Sequence, residues 1–272
     1  MEKKYKITEE TINVANRTLY RIEALRDFCD VKKGDKGGFV EKEENLSQSD
    51  NCWIYYSAKV YDNARVLDNA IVYGKAEVYG NAKVYGYAMV YGNAKICGNA
   101  KICGYAEVYG KAEVYGKAEV YGNAEVYGNA KVFGNAQVCG YAWVHGNAKV
   151  YDKAIICGDA MVYNNAKIYG NAKVYHYAKV FGNAKVYDDA KVYDEAKVYD
   201  DAQVCDEAKV YDNAEVYGNA LIYGRAIIYD NAKVYDDADV CEDAKVFEDA
   251  EVFGYAYVFG NASVYDKAKI GG

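Results

Sequence analysis

Proline is absent from all 272 residues. A proline inside a strand ladder or helix deletes one N–H donor, so a chain this long without any is one whose backbone donors are nearly all in use. The same absence excludes collagen-like and proline-rich disordered classes. Histidine and tryptophan occur only twice each, which leaves little material for a histidine-built metal site. No apolar run approaches the roughly 20 residues that cross a bilayer. The opening Met1-Glu2-Lys3-Lys4-Tyr5 lacks the apolar stretch of a signal peptide. These features predict a soluble, cytoplasmic protein with no membrane partner. The net charge of −7 argues against nucleic acid as a partner.

What the chain has in abundance is tyrosine, 32 residues, and glycine, 25 residues, arranged with a period of six. From Ile54 to Ile270 every sixth residue is Val or Ile, and from Ala58 to Ala268 every sixth residue is Ala, without insertion or deletion. The unit Ala124-Glu125-Val126-Tyr127-Gly128-Asn129 is typical. Alternation within Ala-x-Val-Tyr is the period-two signature of a short strand with Ala and Val on one face. Gly-Asn then turns the chain, since both residues enter positive φ at little cost. One four-residue strand buries nothing alone. Three such sides closing a triangle stack each coil on the one 18 residues before it, in parallel and in register. A helix fails as an alternative because a six-residue period drifts around a 3.6-residue turn.

These residues resemble the hexapeptide-repeat, left-handed parallel β-helix family over about residues 49–270. The resemblance implies left-handedness, which spacing alone does not show and the usual crossover rule opposes. The expected fold is all-β, a triangular solenoid of about 12 coils over residues 49–272, with a small N-terminal cap over residues 1–48. In the cap, Tyr5-Lys6-Ile7 and Thr18-Leu19-Tyr20-Arg21-Ile22 read as short strands around Asn13 to Asn16, and Gly34-Asp35-Lys36-Gly37-Gly38-Phe39-Val40 reads as a loop. That stretch, with Glu43-Glu44-Asn45-Leu46-Ser47 after it, is similar to the opening of uncharacterised bacterial and phage hexapeptide-repeat proteins. The repeat runs to Ile270 with no capping element. This end is expected to pair with another copy or to fray.

Of the 37 residues that follow the Val or Ile, 23 are Tyr, 5 Phe and 6 Cys, so all three faces carry aromatic ladders. Ladders of this kind suit a ligand that stacks, or simple cross-strand packing at about 0.5–1 kcal/mol per pair. Sorting positions by remainder on division by 18 separates the faces. One collects Trp53, Ile71, Met89, Trp143 and Met161 at the normally charged outward position, with Tyr87, Tyr105, Tyr141 and Tyr177 at its leading corner and His145 on the same side. Exposed apolar patches mark contacts, so this face and the Ile270 edge are the expected homo-oligomer interfaces. A corner column of Asp194, Asp212, Asp230, Glu248 and Asp266 is a weak candidate for a hard cation such as calcium. Residues 187–250 hold 18 acidic and 6 basic side chains, leaving the remainder of the chain at +5.

Eight Cys without a secretory signal predict reduced thiols; six of them replace Tyr at outward positions, and Cys139 and Cys157 sit one coil apart, within disulfide reach in principle. The family resemblance implies acyltransferase or zinc carbonic anhydrase chemistry for some members. The first places a catalytic His near a loop that interrupts the coils, and no loop interrupts this repeat. The second needs three His ligands, where this chain has only His145 and His176. No phosphate loop or nucleophile elbow occurs. The sequence therefore predicts no catalytic residue and no cofactor. It leaves a non-catalytic, self-associating structural protein ahead of a ligand-binding module and of a degenerate acyltransferase relative.

Overall fold

The computed structural model describes residues 2–272. Its first element is a hairpin of strands Tyr5–Val14 and Arg17–Ala24. The turn residues Ala15 and Asn16 both have positive φ, 49° and 63°, the geometry whose twist matches the flanking strands. A third strand, Lys36–Val40, pairs antiparallel with Arg17–Ala24 and, on its other edge, parallel with Lys59–Val60. The stretch expected to be a loop is thus the strand that hands the hairpin over to the repeat. A single 3-10 turn, Glu43–Asn45, follows it. Asn45 is fully buried there with its amide satisfied on both sides. Its Nδ2 donates to Asp62 O and Ala64 O at 3.1 and 2.9 Å, and its Oδ1 accepts from Lys42 N at 2.9 Å. Leu46 then bridges to Val66 in parallel.

From Trp53–Ile54 onward the chain is a series of 37 two- or three-residue strands, one for each hexad. With Lys36–Val40 and Leu46 as two sides of an opening turn, the solenoid has about 13 turns, one more than the hexads alone supply. The chain divides into two compact units, the first running to Gly134 and the second spanning Asn135–Gly272. In each unit the strands fall onto three parallel sheets, in register with the strand 18 residues away. Examples are Lys95–Ile96 on Glu113–Val114 in the first unit and Lys197–Val198 on Glu215–Val216 in the second. This architecture is the expected all-β parallel solenoid, and it fits a left-handed β-helix.

Each side of a turn uses its amides in the same way. Lys95 N, Cys97 N and Asn99 N donate to Ala112 O, Val114 O and Gly116 O of the following turn, while Ala100 N closes the corner on Cys97 O. A proline at any of these places would delete a donor, which is the physical meaning of its absence. The repeat Ala and Val or Ile point inward, and from Ala58 to Val252 all of them are 0% exposed. Burying each aliphatic side chain stabilises the fold by about 1.5–3 kcal/mol, an upper estimate because unfolded chains are partly collapsed.

Candidate functional site

The position after most inward Val or Ile residues holds a ring, and in-register stacking gathers those rings into columns. In the second unit His145, Tyr163, Phe181, Tyr199, Tyr217, Tyr235 and Phe253 stack face to face, with centroids 4.9 to 5.3 Å apart. A second column there runs Tyr175, Tyr193, Tyr211, Tyr229, Phe247 and Tyr265. The first unit carries Tyr73, Tyr91, Tyr109 and Tyr127 in the same way. Each ring covers the faces of its neighbours, leaving mainly edges and hydroxyls outward. Tyr91 Oη and Tyr109 Oη donate to Glu107 Oε2 and Glu125 Oε2, both at 2.8 Å. Burial first, and then the carboxylate, pushes both hydroxyls well above the usual phenol range.

The predicted interface residues divide between the units. In the first, Trp53 is 1% exposed, and the edges of Tyr5 and Phe28 pack on it at 6.1 and 5.3 Å. Its assignment to an outer interface is therefore corrected: the hairpin and the segment after it cover this ring. Ile71 and Met89 continue the same column half-buried, and Tyr87 stacks on Tyr105 at 5.0 Å. In the second unit Trp143 pairs with Met161 across adjacent strands. Trp143 is 41% exposed, and Tyr141 and Tyr177 are 61% exposed each. A shallow groove of about 450 Å³ runs along Asp159, Met161, Tyr177, Lys179, Glu195 and Lys197. Grooves of similar size recur on the other two sheets of this unit, so shape alone does not single it out. His145 stacks on Tyr163 at 5.1 Å, and burial lowers its pKa. Ile270 is 38% exposed on strand Lys269–Gly271, which pairs only with Glu251–Phe253.

The acidic corner column makes hydrogen bonds between turns. Every one of its members has positive φ, between 55° and 59°. Three of the carboxylates reach the next turn: Asp230 Oδ2 accepts from Glu248 N at 3.1 Å, Glu248 Oε2 from Asp266 N at 2.7 Å, and Asp212 Oδ2 from Asp230 N at 3.5 Å. Asp194 Oδ1 lies 2.6 Å from His176 Nδ1. Among the described residues no three His, Cys, Asp or Glu side chains gather as a metal-ligating group. The corner amide has no acceptor of its own kind where it stands, so a side chain at the same corner one turn back supplies one.

Against the expectation of reduced thiols, Cys139 and Cys157 are bonded as a disulfide between adjacent turns, with Cα atoms 4.6 Å apart, while the other six Cys are free. Sequence reasoning missed Lys4, which is fully buried beneath the hairpin. Its Nζ donates to Cys52 O, Ser49 O and Asp50 O at 2.8, 3.1 and 3.3 Å. Lysine beside the chain start gives no sequence signal of burial, because its surroundings come from residues 28 and 47–53. No helix of the described residues is long and apolar enough to cross a membrane.

A family model described as the YdcK beta solenoid repeat matches residues 58–74. An Escherichia coli (strain K12) protein named uncharacterized acetyltransferase YdcK is 38% identical over 61 residues, 20% of this chain and 19% of that protein. The match thus spans about a fifth of the relative's length. With three parallel sheets built from unbroken Ala-x-Val hexads, these likenesses are consistent with a hexapeptide-repeat β-solenoid family.

Proposed function

We propose that this protein is a non-catalytic, self-associating solenoid scaffold of the cytoplasm. The observation that carries this reading is the patch of Tyr141, Trp143, Met161 and Tyr177 on one sheet of the second unit. Here the outward position, charged in most hexads, is apolar on consecutive strands, and its flanking corners carry half-exposed or more exposed rings. Clusters of Trp, Tyr and Met are enriched where proteins meet.

Sedimentation over a concentration series tests it. The wild type should show a concentration-dependent mass, and Trp143→Lys with Met161→Lys should reduce it to the monomer while leaving the circular dichroism unchanged. A wild type that stays monomeric at every concentration would reject the reading.

Two observations bear on the other readings. Stacked rings leave few faces for a sugar or planar ligand, which disfavours ligand binding along the ladders. The relative named as an acetyltransferase motivates one enzymatic arm: a thermal-shift experiment with acetyl-CoA should show no stabilisation.

A further inference from the structure

We propose that Lys4 and Cys52 form an oxygen-bridged Nζ–O–Sγ cross-link in the presence of dioxygen, a redox-sensitive lock that ties the N-terminal hairpin to the first turn of the solenoid. The inference goes beyond the scaffold reading and does not depend on it.

The geometry is that of a prepared pair. Lys4 Nζ stands 3.3 Å from Cys52 Sγ, and both residues are fully buried. The three carbonyls of Ser49, Asp50 and Cys52 hold the nitrogen against the sulfur, and the Phe28 ring centroid lies 5.3 Å from it. Preorganisation of this kind removes most of the entropic cost of bringing two groups together. Burial disfavours the ammonium form of Lys4, which favours the free amine that must react. The same burial raises the Cys52 thiol and shields it from bulky electrophiles, so a small oxidant is the one suited to reach it. Cys29, by contrast, is exposed, and Cys241 Sγ faces the phenol of Tyr257 at 3.3 Å.

The step balances with one dioxygen. One N–H bond and the S–H bond break, N–O and O–S bonds form, and one oxygen atom stays in the bridge. The other leaves as water with the two hydrogens released. Nitrogen and sulfur each give up two electrons, and dioxygen takes up the four. A direct N–S bond would require a closer approach than an oxygen-bridged one, and the carbonyl cradle resists it.

The test is peptide mapping of the full-length wild type, purified in air and under strict exclusion of oxygen. In the aerobic sample a linked pair of peptides containing Lys4 and Cys52 should appear. It should carry a mass gain of about 14 Da, one oxygen added and two hydrogens removed, and should be reversed by dithiothreitol. Amide exchange over Tyr5–Val14 should slow at least tenfold in the linked form. Cys52→Ser and Lys4→Arg should each abolish the linked pair, but the wild-type map decides even where a variant misfolds. Recovery of Lys4 and Cys52 unlinked while exposed Cys29 is oxidised would overturn the proposal. So would oxygen added to Cys52 alone, or a linked pair lighter by about 2 Da, the mark of a direct N–S bond.

Discussion

The Asp206 carboxylate accepts a hydrogen bond from the backbone N–H of Gly224, one turn ahead, at 2.9 Å. The same relation joins Asp62 to Gly80, Asp68 to Gly86 and Glu242 to Gly260. Glycine and carboxylate residues therefore share one corner for different reasons. Glycine tolerates a φ near +70° freely, whereas Asp accepts a φ near +57° and serves the next amide in return.

A ranking follows at such corners. Asp206→Gly should change stability little, because the gain in backbone freedom offsets the lost acceptor. Asp206→Ala should cost about 1–2 kcal/mol, since alanine has neither. In the first unit a Cβ at Gly116 meets Gly134 N and O at 2.9 Å in either variant, yet Gly116→Asp should be milder than Gly116→Ala, because only Asp adds an acceptor for the amide one turn ahead. Denaturant melts of the four variants check the order. Equal losses for Ala and Asp at position 116 would contradict the capping role.

The tyrosine hydroxyls predict an alkaline limit. Tyr61 is pushed up to about 12, by burial and then by Glu77, and Tyr235 to about 12, by burial and then by its bond to Glu251. A phenol raised in the folded state keeps its proton while the unfolded chain loses its own near pH 10. The stabilisation is therefore complete below about pH 10 and is lost as pH rises through about 12. Phenolate absorbance should lag behind that of the chain in denaturant, then rise together with unfolding. Native titration at the ordinary phenol pKa would contradict the burial of the ladders.

The inward positions were legible because a strict six-residue period leaves no other way to bury Ala and Val together, and division by 18 sorted the faces. Lys36–Val40 was not legible as a strand, since Gly37 and Gly38 mimic a loop. The glycines are there because a Cβ on Gly37 would lie 2.6 Å from Ile22 Cγ1, and one on Gly38 2.5 Å from Ala58 O. Trp53 looked outward by its place in the hexad, and the path of the hairpin and of the segment carrying Phe28 covers it. The hydrogen bonds of the Asp column were not legible, because composition shows the carboxylates but not the amides 18 residues away.

Two tryptophans in opposite settings give a direct optical check. Trp53 is 1% exposed and Trp143 is 41% exposed. In Trp143→Phe, the remaining Trp53 fluorescence should be blue-shifted and nearly inaccessible to iodide. In Trp53→Phe, Trp143 should be red-shifted and readily quenched, less so at concentrations where the chain self-associates. Quenching of Trp53 comparable to Trp143 would mean the hairpin does not cover the first turn.

Tyr217 sits within the ring column of the second unit, 4.9 Å from both Tyr199 and Tyr235. Replacing it with Ala removes two stacked contacts at about 0.5–1 kcal/mol each, together with part of its buried area. Tyr217→Phe keeps the ring and should be nearly neutral. Because each turn of a solenoid contacts only its neighbours, the loss should be local. Amide exchange should therefore accelerate for the strands around Glu215–Val216 and leave Tyr5–Val14 unchanged in Tyr217→Ala. If the rings served a ligand and not the fold, Tyr217→Ala would leave exchange as it was, and the column would need another explanation than cohesion between turns.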